Sequence, residues 1–254
     1  FSVPTAARVG GFVSTVAAMT WDGCKKTFPA VAPLYVFADT DIFSAAPHRL
    51  TASGFGDLLG KYTALADWRI ASLLTGEYYC DRIADLTEEA MKEAIAAPKD
   101  CERLMYGLLL SGLAMQMVGN SRPASGAEHH FSHFWEMGVQ NSPLEALHGE
   151  KVGVGLLLCS RIYRRLSMML EAGVLIPADT SGLMEKEIRD GFPDPDMRKE
   201  IFAENDPDPL AGLSGKDILD HSAEIIRILN EIPVPKELSA CLKTVGAKPT
   251  MGAL

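Results

Sequence analysis

Residues 125–137 read SGAEHHFSHFWEM and gather His129, His130 and His133 in a chain that has 6 histidines in all. Imidazole is both a metal ligand and a proton carrier near neutral pH, so the cluster suggests either holding a divalent ion or moving a proton. On a helix, His129 and His133 share one face a turn apart, whereas His130 points about 100° away. Two further candidates lie elsewhere: His148 in LHGEKVGVG, and Asp57 in SGFGDLL. One carboxylate and two imidazoles suit Zn²⁺, Fe²⁺ or Ni²⁺ and leave a position for substrate. Spacing does not bring them together, however. Taken singly, a surface histidine is more often a solvated side chain, and an aspartate at a helix start is more often a cap.

The elements that must position these residues are mostly helices. The three- and four-residue apolar period predicts a helix over 56–75, which places Asp57 at its start, where backbone N–H groups keep a carboxylate ionised. RLMYGLLLSGLAMQMV, 103–118, is apolar nearly all round and reads as a buried helix. Further helices are expected at 87–96 with Thr87 as N-cap, and at 126–139, 149–170 and 215–231. APLYVFA, 32–38, is the one strong strand candidate. The proline- and acid-rich stretch 186–212 reads as a surface excursion rather than a domain linker. No internal repeat stands out.

Composition narrows the setting. A chain of 254 residues, 47% apolar and 22% charged, can bury a sizeable core. A formal charge of −9 with no dense Lys/Arg cluster argues against nucleic acid as a partner. No stretch reaches the roughly 18 to 20 apolar residues needed to span a bilayer, so membrane insertion is not expected. Five scattered cysteines without a CxxC pair read as reduced thiols, mostly in the core, of a cytoplasmic protein. The opening FSVPTAARVGG lacks an initiating Met and does not read as a signal peptide; it reads as a cut.

Three stretches taken together, GFGDLLGKYTALADW, SRPASGAEHHFSHFWEM and LHGEKVGVG, resemble the C-terminal half of the sn-glycerol-1-phosphate dehydrogenases, the bacterial arabinose-operon type most of all. These stand within the superfamily of iron-containing alcohol dehydrogenases, glycerol dehydrogenases and dehydroquinate synthases. The resemblance runs from SVPTAA to about residue 160 and includes ADTDIFSAAP. It implies a mainly α chain: a helical metal- and substrate-binding domain of the dehydroquinate synthase-like fold over 46–254, preceded by the β-containing end of a nucleotide-binding α/β domain over 1–45.

The same resemblance implies roles. Asp57, His129 and His148 match metal ligands, His133 matches a substrate-contacting residue that helps move the hydroxyl proton, and Thr5 and Ser14 match cofactor contacts. Asp57 and His133 are thus the catalytic candidates, while Lys61 and Asp67 read as structural. Arg8 and Gly10 stand where the family usually has serine and aspartate, so the substrate contact of that aspartate is missing. The implied activity is NAD- or NADP-dependent interconversion of dihydroxyacetone phosphate and sn-glycerol 1-phosphate, with a divalent Zn, Ni or Fe ion as Lewis acid. Glycerol dehydrogenase, or a non-catalytic metal-binding domain, are the alternatives. The family's glycine-rich dinucleotide motif lies upstream of SVPTAA, so the chain alone is expected to be inactive. Its uncovered apolar surface is expected to make it a homo-oligomer.

Overall fold

A computed structural model describes residues 1–21, 23–138, 145–176, 183–250 and 252. Two strands, β1 (Val16–Trp21) and β2 (Cys24–Pro29), form an antiparallel hairpin in the register Val16↔Pro29 to Trp21↔Cys24. Between the strands Gly23 takes φ 76°, a left-handed value that glycine adopts without steric cost. Twelve α-helices follow among the described residues: α1 (Thr40–Ser44), α2 (His48–Leu59), α3 (Lys61–Thr75), α4 (Asp81–Ala96), α5 (Cys101–Val118), α6 (Ala127–Glu136), α7 (His148–Glu171), α8 (Leu183–Gly191), α9 (Pro195–Glu204), α10 (Gly215–Asp220), α11 (Ser222–Asn230) and α12 (Pro235–Thr244).

The mainly α class is therefore as expected, but several elements differ. APLYVFA is not a regular strand; its one bridge among the described residues is Ser2↔Val36, with Leu34, Tyr35 and Phe37 exposed. A ladder needs a neighbour along its length, and this stretch finds one only at Ser2, which donates to Tyr35 and accepts from Phe37. The expected 56–75 helix is two helices meeting at Gly60, so Asp57 lies near the C-terminal end of α2 rather than at a helix start.

Thr87 is not a cap. It sits inside α4 and its hydroxyl donates to the Ile83 carbonyl 3.1 Å away, one turn back, while the helix begins at Asp81. The α5 helix is capped by Asp100, whose carboxylate accepts from Glu102 N and Arg103 N, and it buries one face only: Tyr106 and Met117 are exposed. Helix α6 ends at Glu136, and residue 139 of its expected span lies outside the described residues. The expected 215–231 helix breaks at His221. The 186–212 stretch is largely exposed yet holds most of α8 and all of α9; Asp194 and Pro195 there start a helix as N-cap and first residue.

The main core joins α2, α4, α5, α7 and α12 through Phe55, Leu58, Met91, Leu104, Leu108, Leu156 and Leu242. Burying each such side chain contributes about 1.5 to 3 kcal/mol. A smaller cluster of Leu170, Ile225, Ile228 and Ile232 fixes α11 on α7. Cys24 and Cys159 are buried, the other three cysteines partly so, and all five are free. No helix among the described residues is long and apolar enough to cross a membrane.

Candidate metal centre

Three helices deliver the site. Helix α2 brings Asp57, α6 brings His129 and His133, and the first residue of α7 is His148. The donor atoms of Asp57, His129 and His148 all lie within 4.8 Å of one another. Asp57 Oδ1 is 3.2 Å from His129 Nε2 and 3.9 Å from His148 Nε2. Donors on one ion stand about 3 to 4 Å apart, so this set has both the spacing and the chemistry for a divalent ion.

Asp57 is 3% exposed and its partners are specific. Oδ2 accepts from Gly10 N at 2.9 Å, and Lys61, itself buried, places Nζ 3.4 Å from Oδ1 while donating to the Asp57 carbonyl at 2.9 Å. Burial works against ionisation, but Lys61 and His129 outweigh it and hold the carboxyl well below the usual carboxylate range. The Asp57 side chain is thus an anion waiting among imidazoles.

His133 faces the same cavity without joining the donor set: its ring centroid is 6.1 Å from that of His129 and 5.9 Å from that of His148. Burial, with the neighbouring His129 and His148 adding to it, pushes its pKa down to about 3. It is therefore neutral at physiological pH. The exposed His130 is absent from the cavity lining. That cavity, of about 310 Å³, is also lined by Gly10, Ser14, Lys25, Thr27, Lys61 and Ser125. Ser14 Oγ accepts from Val16 N at 3.1 Å, whereas Thr5 is exposed and outside the lining.

Glu128, Glu136 and Lys25 lie near the site and were not singled out from sequence. Glu128, buried at the start of α6, accepts from Gly126 N at 2.8 Å and lies 2.7 Å from His129 Nδ1. Glu136 lies 2.9 Å from His148 Nδ1 and pairs with Lys25 at 2.8 Å and Lys151 at 3.3 Å. Asp67 fixes the same helix end from α3, accepting from Ala127 N at 2.8 Å and from the Tyr163 hydroxyl, which supports the structural reading of that residue. Lys25 is reached only through the hairpin, which sequence periodicity did not reveal.

Residues 1–47 match the family model described as iron-containing alcohol dehydrogenase. The chain is 45% identical over 174 residues to a Bacillus licheniformis protein named glycerol-1-phosphate dehydrogenase, NAD(P)+, which covers 65% of this chain and 43% of that protein. A protein of the same name from Methanosarcina mazei is 44% identical over 170 residues, 64% of this chain and 47% of that one. Over that stretch the chain is similar to proteins named glycerol-1-phosphate dehydrogenase, and it spans less than half the length of these curated relatives. The solved structure of a probable glycerol dehydrogenase from Sinorhizobium meliloti aligns with 96% of this chain and 69% of its own, at 17% identity and a TM-score of 0.49.

Proposed function

We propose that the chain forms the metal- and substrate-binding part of an NAD(P)-dependent oxidoreductase interconverting dihydroxyacetone phosphate and sn-glycerol 1-phosphate. The observation that carries this reading is the convergence of Asp57, His129 and His148 beside a cavity that also takes in His133 and Ser14. The names of the relatives support the reaction.

In this reading Asp57, His129 and His148 hold a divalent ion, Zn, Ni or Fe. When bound, that ion supplies Lewis-acid polarisation of the reacting substrate oxygen. His133, kept neutral, offers a ring nitrogen to the substrate hydroxyl and carries its proton. Asp57 keeps its charge through Lys61 and Gly10 N and so stays a ligand rather than a base. Ser14, on the cavity wall, and Thr5 are the cofactor contacts, residues 1–45 being the end of the nucleotide-binding domain and 46–254 the helical domain.

Charge supports a phosphorylated substrate. Lys25, Lys61 and Lys151 offset Asp57, Glu128 and Glu136 one for one, so a divalent ion leaves the surroundings positive and favours an anionic polyol over glycerol. The exposed Phe1, Val31, Leu34, Tyr35 and Phe37 support self-association, and five unbridged cysteines support a reducing, cytoplasmic setting.

The test is turnover by the product of the complete gene, reloaded with zinc, nickel or iron. Reduction of dihydroxyacetone phosphate should exceed oxidation of glycerol in kcat/KM. Preference for glycerol would make it a glycerol dehydrogenase, and a metal-loaded protein that turns over neither would make it a binding domain.

A further inference from the structure

Both candidate imidazoles are held in the same way. His129 Nδ1 lies 2.7 Å from Glu128 Oε1, and His148 Nδ1 lies 2.9 Å from Glu136 Oε1. The opposite nitrogen of each ring, Nε2, is the one that faces Asp57 Oδ1, at 3.2 and 3.9 Å. A neutral imidazole carries one ring proton; when an ion takes the place of any proton shared with Asp57, a carboxylate beside Nδ1 keeps the remaining proton there and turns the Nε2 lone pair to the ion. From this we propose that Glu128 and Glu136 are positioning residues, each fixing the tautomer and orientation of one histidine so that Nε2 is presented to a divalent ion. The inference rests on the metal-binding reading above.

Each glutamate is itself held. Glu128 is fully buried and also accepts from Gly126 N and the Thr63 hydroxyl, so its free rotation is lost before any ion arrives. Glu136 is tied by Lys25 and Lys151 and accepts from Ser132 Oγ at 3.1 Å. The two pairs differ in reach. Glu128 adjoins its histidine in the chain, whereas Glu136 sits on α6 and holds a histidine on α7, so it also sets the distance between the helices that carry the two rings.

The test measures zinc affinity by competition with a chromophoric chelator, together with long-range proton–nitrogen correlation spectra of the histidine rings. In the unmodified chain loaded with zinc, both rings should coordinate through Nε2 and carry the proton on Nδ1. Glu136→Ala should weaken zinc about 10- to 100-fold and, in the metal-free protein at alkaline pH, shift the His148 proton to Nε2. Glu136→Gln, which keeps an acceptor, should restore most of the affinity. A purely structural Glu136 would lower the melting temperature and leave the tautomer alone. Coordination of either ring through Nδ1 overturns the proposal without any variant, and so without a Glu128 substitution, which in so buried a place would threaten the fold. Zinc affinity within twofold of normal in Glu136→Ala overturns it as well. An unmodified chain that binds no zinc, nickel or iron overturns the metal reading along with it.

Discussion

Gly56 of α2 and Gly149 of α7 meet backbone to backbone where the two helices cross: a Cβ on Gly56 would overlap the Gly149 carbonyl oxygen, and one on Gly149 would overlap that of Ser53. Asp57 follows the first glycine and His148 precedes the second, so the separation of these two side chains is set by main chain against main chain. Gly149→Ala should cost about 2 to 3 kcal/mol of stability and weaken zinc at least tenfold, because the overlap is with backbone that has no rotamer to yield. Thermal melting and chelator competition on the same sample check this; unchanged zinc affinity would mean that the crossing does not set the site.

The division of labour between neighbouring histidines is open to direct measurement. His129→Ala should abolish bound metal in elemental analysis. His133→Ala should keep close to full metal content while lowering kcat, since His133 lies outside the donor set yet faces the same cavity. Equal metal loss in the two variants would refute that division.

Lys61 is a fully buried ammonium one turn from Asp57. Lys61→Met leaves the carboxylate short of a counter-charge, at a cost of about 3 kcal/mol. Saturating zinc supplies positive charge at the same oxygen, so the gap in melting temperature between variant and parent should narrow when zinc is added. A gap that stays constant contradicts this.

Burial, outweighing the bonds from Tyr163 and Ala127 N, pushes the Asp67 carboxyl up to about 6. A folded value above the unfolded one means that the folded state binds the extra proton, so this contribution is present at low pH and is lost as pH rises from about 4 to about 6. The melting temperature of the parent minus that of Asp67→Asn should therefore fall across this window and level off above it. A difference that is flat from pH 4 to 7 disproves the assignment.

Residues 1–254 alone should bind zinc but give no saturable NADH binding and no turnover, because among the described residues no glycine-rich pyrophosphate cradle follows a strand. Calorimetric titration with a micromolar dissociation constant for NADH would place the nucleotide site within these residues.

Much of this arrangement was legible before any coordinates, for reasons that differ from residue to residue. The four-residue step between His129 and His133 fixed their shared face, since a helix offers no other outcome. The approach of Asp57 to them depends on how α2 crosses α7, which no local period encodes; the motif resemblance, not the spacing, suggested it. Glu128 and Glu136 lie in the same stretch as the histidines but carry no signal of their own: an acidic residue in a first helical turn, as Glu128 is, is ordinarily explained by the helix dipole, and Glu136, at the other end of α6, reaches a histidine on a different helix. The hairpin was missed although Asp22-Gly23 is a two-residue turn signal: VAAMTW and CKKTFP lack the clean alternation that marks a half-buried strand. Pro195, read as punctuation, was a helix start.

Gly10 and Lys25 belong to one short stretch ahead of the helices, yet the first donates to Asp57 Oδ2 and the second pairs with Glu136. Anything that displaces this stretch on binding it strips a hydrogen bond from one end of the cluster and a charge from the other in a single event. Ion occupancy and occupancy of that stretch thereby close one thermodynamic cycle. Reciprocity then requires that the factor by which a ligand there changes ion affinity equals the factor by which the ion changes affinity for that ligand.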